Sequence, residues 1–323
     1  MARKSLNQLH WIGRFGNRMF QYAYGKTFEK RFNVDFRSIS KWEGDTLFKN
    51  CKTKLIKDKI LLKDAIKYSS NKEQNLEGYQ KIIDKYNKRT SSDLKFIFPY
   101  DIGSFKKPDT DLALDCACWD SEYIFEQYTK KELKELFEFT DEVKNSDVYK
   151  RAEDKQGTYD VAHLRRDDVC FSEQAHNWNY SVVSRRSYEK AFRMFDVDPN
   201  NIEWISDDFP SHPSMGWVYP QGQTKTEGIF FDFLPDFLKV YFGRNVFRAP
   251  SSFSWWAAFL SPTATVYSPI LHDRILYYKD KKELNCEFIQ STSPHFMHVL
   301  GYSFGEDCPH QGYHICPFIN IKE

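Results

Sequence analysis

The residues best suited to chemistry in this chain form one short run, His163-Leu164-Arg165-Arg166-Asp167-Asp168. It follows residues 158–162, whose apolar and β-branched side chains predict a strand. In open α/β sheets, ligands bind beyond the carboxyl ends of the strands. A guanidinium is permanently charged and can donate two parallel hydrogen bonds to a phosphate. The run therefore predicts an anion site with an ionisable neighbour, and a diphosphate is the ligand that this pattern favours.

A second polar cluster lies at Ser251 and Ser252, where a predicted strand at residues 245–248 passes into a predicted helix at residues 253–260. Serine is a favoured helix N-cap, and backbone N–H groups at the start of a helix attract anions. One interpretation is a phosphate cradle made of hydroxyls and backbone donors. The other is an ordinary capped helix that carries two packed tryptophans.

Two further positions are open to more than one interpretation. Asp207 and Asp208 follow a predicted strand at residues 202–205, where they could recognise a ribose or a base, or form a strand-end turn that caps a helix. His163 lies inside a predicted strand, where a histidine is either part of the core or part of the site.

The elements that must position these residues alternate in type along the second half of the chain. Strands alternating with helices indicate a parallel sheet, and polar groups at several strand ends indicate one shared cleft. The predicted strands are residues 158–164, 202–205, 245–248 and 264–267, and the predicted helices are residues 185–195 and 253–260.

The first half opens with the same pattern. Residues 9–12 predict a strand, residues 13–17 a glycine-containing turn and residues 18–32 a helix, as in nucleotide-binding α/β units. Residues 132–150 predict a charged helix, and the pattern breaks at residues 154–157. We therefore expect two domains, residues 1–155 and 156–323, with the tail of the chain packing back on the first.

Composition narrows the class of protein. The 323 residues are 41% hydrophobic and 28% charged, which supports a sizeable folded core. The formal net charge of +1 argues against a nucleic-acid partner, which usually requires a strongly basic face. Aromatic residues make up 17% of the chain, and aromatic rings suit both dense packing and the flat apolar faces of sugars.

Cysteine usage and hydropathy suggest a compartment. The seven cysteines are an odd number and follow no secretory leader, which predicts reduced thiols in a soluble, cytoplasmic protein without a membrane span. Residues 308–316 contain two cysteines and two histidines, but their spacing does not match a familiar zinc motif. We expect no metal site.

Four segments together resemble the α-1,2-fucosyltransferase family, glycosyltransferase family 11. The family carries Gly-Asn-x-Met-Phe-Gln-Tyr near its start, and residues 16–22 read Gly-Asn-Arg-Met-Phe-Gln-Tyr. Its motifs His-x-Arg-Arg-Gly-Asp and Ser-Asp-Asp are similar to residues 163–168 and 206–208. Its motif Asn-Ser-Ser-Phe-Ser-Trp-Trp is similar to residues 250–256. The four motifs occur here in the family's order.

The resemblance implies a GT-B type α/β fold, in which two Rossmann-like domains face a central cleft and the carboxyl-terminal half binds GDP-fucose. Within the matched segments it implies that Arg165 contacts the diphosphate and that Asp207 lies near the guanine or the ribose. The positions implied to bind the donor are Arg14, Gly16, Asn17, His163, Arg165, Arg166, Asp207, Ser251, Ser252 and Phe253.

The resemblance also implies a reaction. The expected chemistry is an inverting transfer of fucose from GDP-fucose to a hydroxyl of a glycan acceptor, with an α-1,2 linkage and with no metal or other cofactor. Arg165 and the serine pair would stabilise the departing diphosphate. Asp168 is the candidate general base, although an aspartate beside two arginines is expected to have a depressed pKa.

Two departures from the family motifs leave alternatives open. Asp167 replaces a glycine and adds a negative charge beside the arginines, and Pro250 replaces an asparagine in the serine loop. Both are compatible with the same fold using a different nucleotide-sugar donor. The altered arginine motif and the many aromatic residues are also compatible with a carbohydrate-binding protein that has no catalytic activity.

Overall fold

A computed structural model describes residues 3–69, 76–97, 107–114, 121–166, 183–206, 231–270, 287–291, 295–296 and 319–320. By its internal contacts the chain divides into two compact units, Met1–Glu138 and Phe139–Glu323. Each unit contains a five-stranded sheet that is largely parallel.

The first unit has strands in the order β3-β2-β1-β5-β4, and its four strand pairings are all parallel. The order reverses direction between β1 and β5, which is the position where Rossmann-like sheets bind ligands. Its elements are β1 (Ser5–Gln8), α1 (Phe15–Phe32), β2 (Asp35–Ser38), α2 (Gly44–Leu47), β3 (Lys54–Leu55), α3 (Lys59–Ser69), α4 (Leu76–Thr90), β4 (Lys95–Ile97), β5 (Leu112–Leu114), α5 (Ser121–Gln127) and α6 (Lys130–Leu136).

The second unit has strands in the order β10-β9-β8-β6-β7, parallel except that β10 runs antiparallel to β9. A short antiparallel pair, β11 with β12, is separate from this sheet. The elements are α7 (Asp141–Lys144), α8 (Asp147–Glu153), β6 (Asp160–Leu164), α9 (Arg185–Met194), a 3-10 turn (Pro199–Asn201), β7 (Ile202–Ser206), α10 (Leu234–Phe242), β8 (Asn245–Phe247), α11 (Ser252–Leu260), β9 (Thr265–Ile270), β10 (Glu287–Ser291), β11 (His295–Phe296) and β12 (Ile319–Asn320).

Helices cover the two faces of the second sheet. Alternate residues of β6, such as Ala162 and Leu164, join Phe192 of α9 and Phe247 of β8 in one buried apolar cluster. His163 points the other way, because its ring lies 5.9 Å from that of Phe253 in α11. The alternating βα pattern predicted for this half of the chain is confirmed, with a parallel sheet between helical layers.

The first predicted strand was placed wrongly. Residues 9–12 are not in a strand, and β1 is instead the more polar segment Ser5–Gln8. The Ser5 backbone N–H donates to Asp111 Oδ1 at 2.7 Å, and Asn7 Nδ2 donates to the Leu112 carbonyl at 3.0 Å. These partners satisfy the polar groups of a buried strand.

The predicted helix at residues 132–150 is also wrong, because this stretch forms parts of three short helices. Thr140 and Ser146 each accept a hydrogen bond from a backbone N–H and thereby begin a new helix. Between α6 and α7, Phe137 and Phe139 are both buried, and a continuous helix could not bring both rings inward together with Leu133.

The division between the units lies upstream of residue 155, where the sequence pattern breaks. The Phe139 ring lies 6.3 Å from Phe237, and the Tyr149 ring lies 5.2 Å from Phe242, both in α10. These contacts place α7 and α8 with the second unit.

Asp236, in the first turn of α10, is a buried carboxylate that is poorly compensated. It is 1% exposed, and within the described part of the structure neither carboxylate oxygen has a hydrogen-bond partner. Lys239 Nζ lies 3.6 Å from Oδ1 and 3.6 Å from Glu203 Oε2, so it is an ion-pair partner shared by two carboxylates. Burial raises the pKa of Asp236 to about 7.

We predict that Asp236→Asn stabilises the second unit at pH 8 and has little effect at pH 4. The folded-state pKa exceeds the unfolded one, so the wild-type free energy of unfolding falls as pH rises from about 4 to about 7. At pH 8 the difference is on the order of 4 kcal/mol. Thermal melts at both pH values measure it, with exposed Asp154→Asn as the control. The prediction is contradicted if the difference in stability between Asp236→Asn and the wild type is the same at pH 4 and at pH 8.

Candidate functional site

The carboxyl ends of three parallel strands meet at one edge of the second sheet. Arg165 follows β6, Ser206 ends β7 and Ser251 follows β8 after a three-residue connection. Strand β6 pairs in parallel with both β7 and β8, so these ends point in the same direction. The structure thus brings the predicted arginine run and the predicted serine loop to a common edge.

Strand alternation directs Arg165 to the face of the sheet that α11 covers. The imidazole of His163 is almost completely buried and contacts Phe253 in the first turn of α11. Side chains alternate between the two faces of a strand, so Arg165, two residues further, is directed to the same side as His163. Arg165 itself is partly exposed, as a ligand-binding side chain must be.

Arg166 has a different environment from its neighbour. It is 3% exposed, and its Nη2 donates to the Val183 carbonyl at 3.0 Å while its Nη1 donates to the Arg165 carbonyl at 3.1 Å. Its guanidinium therefore links the end of β6 to the segment that precedes α9. These hydrogen bonds of the Arg166 guanidinium hold the backbone of Arg165 in place.

The serine loop begins helix α11. Ser251 is the N-cap, and its Oγ accepts a hydrogen bond from the Phe253 backbone N–H at 3.3 Å. Trp255 and Trp256 are fully buried further along the helix. Ser251 therefore caps the helix. The same geometry concentrates backbone donors and the positive end of the helix dipole at Ser251 and Ser252.

The sequence pattern places Arg248, at this edge, in a predicted strand and assigns it no functional role. Arg248 directly follows β8 and is completely buried. The signal in the sequence was an arginine between an apolar strand and the serine loop, a position that packing alone would fill with an apolar side chain. The predicted residues Asp167, Asp168, Asp207 and Asp208, and residues 308–316, lie outside the described residues.

In the first unit, the turn between β1 and α1 carries the other predicted residues. Gly13 has φ +71°, and a Cβ there would lie 2.2 Å from Asn17 Nδ2. Arg14 precedes α1 in an extended conformation, and the Asn17 backbone N–H donates to the Arg14 carbonyl at 2.9 Å. Gly16 is buried in the first helical turn. Both the left-handed backbone and the close approach of Asn17 require glycine at position 13.

A buried amide holds this turn in place. Gln21 Nε2 donates to the Ile12 carbonyl at 2.7 Å, and Gln21 Oε1 accepts from the Ile12 backbone N–H at 3.0 Å. Gln8 Nε2 donates to the same oxygen at 3.1 Å. The side chain of a helix residue thus satisfies both backbone groups of Ile12, as a neighbouring strand would.

An ion pair supports the turn from the other side. Arg18 Nη1 lies 2.5 Å from Glu43 Oε1, and Arg18 Nε donates to the Gly13 carbonyl at 3.1 Å. Burial and the nearby positive charge of Arg18 lower the pKa of His10 to about 4, so this imidazole is neutral at pH 7. The arrangement fixes the backbone that carries Arg14 and Asn17.

Comparison with known proteins shows likeness in structure alone. No protein-family model and no curated protein sequence matches the chain. A mutant of Arabidopsis thaliana FUT1 in complex with GDP matches at 11% identity and a TM-score of 0.50, over 92% of this chain and 76% of that one. NodZ α-1,6-fucosyltransferase co-crystallised with GDP matches at 13% identity and a TM-score of 0.46, over 82% of this chain and 95% of that one.

Fucosyltransferase NodZ from Bradyrhizobium matches at 12% identity and a TM-score of 0.48, over 90% of this chain and 99% of that one. At such identities the likeness concerns the fold, and the FUT1 match agrees with the two sheets described above. The fold is of the GT-B type, with two Rossmann-like units.

Among the described residues, no helix combines the length and the apolar character that crossing a membrane requires. In the same part of the chain, no three His, Cys, Asp or Glu side chains lie close enough together to hold a metal ion.

We predict that Gln21→Met loosens the turn before α1. Methionine fills a similar volume but leaves both backbone groups of Ile12 without their partner, which costs roughly 2–4 kcal/mol. Hydrogen exchange at residues 9–17 should rise, and the melting temperature of the first unit should fall. Gln80→Met, on the exposed face of α4, is the matched control and should change neither quantity. Equal exchange in the two variants would show that Gln21 does not hold the turn.

Proposed function

We propose that this protein is an inverting fucosyltransferase that moves fucose from GDP-fucose to a hydroxyl of a glycan acceptor, with an α-1,2 linkage, in glycosyltransferase family 11. The observation that carries the proposal is Arg165, partly exposed directly after β6. Alternation from His163, whose ring contacts Phe253, directs Arg165 to the side of the sheet where α11 begins. The structural likeness to FUT1, solved with GDP, supports it.

In this proposal the second unit binds the donor. Arg165 pairs with the diphosphate, and Ser251 and Ser252 offer hydroxyl and backbone donors at the start of α11. Phe253 and His163 form the apolar floor beneath the phosphates, where their rings are in contact. Arg166 maintains the position of Arg165, and Asp207 recognises the guanosine ribose or base.

In the first unit we assign Arg14, Gly16 and Asn17 to donor binding. Their turn is rigid, because Gln21 and the Arg18–Glu43 pair fix its backbone. A rigid turn reduces the ordering cost of binding a flexible nucleotide sugar.

The proposed reaction is a single displacement. The acceptor oxygen forms a bond to the anomeric carbon as the bond between that carbon and the phosphate oxygen breaks, and the acceptor proton passes to Asp168. GDP leaves with the bonding electron pair, so negative charge grows on its β-phosphate. Fixed donors placed there stabilise the transition state more than the ground state. Arg165 and the α11 N-terminus supply these donors in the proposal, without a divalent cation.

The direct test is incubation with GDP-fucose, other GDP-sugars and UDP-sugars, with a panel of glycan acceptors and mass detection of products. Fucose transfer from GDP-fucose supports the proposal. Transfer from a UDP-sugar alone would show that the donor is not GDP-fucose, an alternative that Asp167 and Pro250 leave open. Glycan binding with neither transfer nor nucleotide affinity would indicate a carbohydrate-binding protein.

We predict that Arg165→Ala lowers kcat by roughly 10²–10³, the usual loss when a fixed donor to a developing anion is removed. Arg165→Lys should retain part of the activity, because an ammonium keeps the charge but cannot donate two parallel hydrogen bonds. Arg151→Ala, at an exposed position of α8, serves as the control. Near-normal turnover in a correctly folded Arg165→Ala variant would show that Arg165 does not stabilise the leaving diphosphate.

We also predict that a chelator leaves turnover unchanged, because protein cations and N–H groups neutralise the leaving diphosphate in this proposal. The measurement is the initial rate after dialysis against EDTA, with and without added Mn²⁺ or Mg²⁺. Activity that is lost in EDTA and restored by a divalent cation contradicts this part of the mechanism.

A further inference from the structure

Helix α10 begins without the cap that its neighbours have. Its N-cap is Phe233, whose ring carries no hydrogen-bond acceptor, and within the described residues no side chain caps this end. At α9 and α11, in contrast, Ser184 and Ser251 each accept a hydrogen bond from a backbone N–H. Helix ends open more easily than helix centres, and a missing cap favours opening of the first turn.

The same turn contains the buried carboxylate of Asp236. As the third residue of α10, Asp236 occupies a position where a carboxylate ordinarily accepts hydrogen bonds from backbone N–H groups at the helix start. In the described part of the chain neither of its oxygens has such a partner. The nearby cation, Lys239, lies 3.6 Å away and is shared with Glu203. Water in an opened turn would supply the hydrogen bonds that the ionised carboxylate lacks in the packed turn.

Burial controls the ionisation of Asp236 more than the surrounding charges do. Burial raises the pKa of Asp236 to about 7, Lys239 acts to lower it, and Glu203 of β7 acts to raise it. Helix α11 packs against α10 and contributes no acidic or basic side chain. The other charged or titratable residues on neighbouring segments are Asp232 before α10, Asp147, Lys150, Arg151 and Glu153 on α8, Asp160 and His163 on β6, and Arg165 after β6.

The first turn of α10 also packs on the start of α11. The ring of Phe237 lies edge-on to that of Phe253 at 5.5 Å, and the ring of Phe233 lies edge-on to it at 6.4 Å. All three rings are buried. The Phe253 backbone N–H donates to Ser251 Oγ, and its ring also contacts His163. A movement of the first turn of α10 would therefore reach the start of α11 by direct contact.

Opening this turn would expose Asp236 and remove the ring contacts together, because Phe237 follows Asp236 directly in the chain. A carboxyl whose pKa is higher in the packed turn than in water favours the opened turn increasingly as pH rises from about 4 to about 7. Below this range the neutral carboxyl favours the packed turn. Above it, the bias towards opening is constant.

We propose that the first turn of α10 is a pH-sensitive latch on the start of α11: neutral Asp236 stays packed with Phe237 against Phe253, and ionised Asp236 favours an opened turn in which that contact is lost. The latch itself is a property of the second unit. Its consequence for donor binding rests on the proposed function, because a diphosphate held at the start of α11 requires Phe253 in its packed position.

The test is hydrogen exchange of the full chain at pH 5 and pH 8, with wild type and Asp236→Asn compared at each pH so that the intrinsic pH dependence cancels. At residues 237–240 and 253–256, the ratio of wild-type to variant exchange rates should rise by roughly ten- to a hundredfold from pH 5 to pH 8. In α9, on the opposite face of the sheet, the ratio should stay constant. A ratio in α10 that does not change with pH, or one that rises equally in α9, overturns the proposal.

If Asp236→Asn does not fold, Glu203→Gln decides. It leaves Lys239 to pair with Asp236 alone, which stabilises the ionised carboxylate in the packed turn. Exchange at residues 237–240 should then slow by roughly threefold at pH 8 and change little at pH 5. Exposed Asp154→Asn is the control and should match wild type at both pH values. Equal exchange in Glu203→Gln and wild type at pH 8 overturns the latch.

Adding GDP separates the latch from the proposed function. If GDP binds the packed state, a concentration about a hundred times its Kd should slow wild-type exchange at residues 237–240 and 253–256 by roughly tenfold or more at pH 8. If GDP does not bind, the proposed donor fails and the comparison without ligand still decides the latch. If GDP slows exchange at residues 253–256 but not at residues 237–240, the donor stands and the latch proposal is overturned.

Discussion

The candidate site in the second unit depends on the register of β6 against its neighbours. Asp160, fully buried at the start of β6, accepts hydrogen bonds from Arg244 Nε and Nη2 at 2.9 and 2.6 Å and from Asn245 Nδ2 at 2.8 Å. Asn245 is the first residue of β8, so one carboxylate fixes the starts of both strands. A slip of one residue would turn the groups at the strand ends, Arg165 among them, to the opposite face.

The same register separates an apolar face from a cationic one. On the α9 side, aromatic rings pack in one buried apolar cluster. Tyr188 belongs to this cluster, and its hydroxyl donates to the His163 carbonyl at 2.7 Å. On the α11 side the residues at the strand ends are His163, Arg165 and, by alternation, Arg248. Because helices cover both faces of a parallel sheet, charge can reach a ligand only at the strand ends, and here it lies beside a helix N-terminus.

The sequence predicted the second unit better than the first, for a physical reason. The segments of β6, β7 and β8 combine apolar and β-branched residues with polar residues directly at or after their carboxyl ends, so local composition reveals both the strand and its end. Strand β1 is polar, and its stability comes from a contact with Asp111, 106 residues beyond Ser5. No local pattern contains that partner. Residues 9–12 were predicted as a strand because they are largely apolar. In the structure they form a loop, in which Gln21 is hydrogen-bonded to Ile12.

Arg248 shows where sequence reasoning reached its limit. Its position before the serine loop was visible, but its burial follows from pairing with β9, which brings Ser268 opposite. Burying a guanidinium is costly, and replacing buried charges with apolar side chains often stabilises a fold. No local pattern contains that pairing, so the burial of this guanidinium could not be predicted from the sequence.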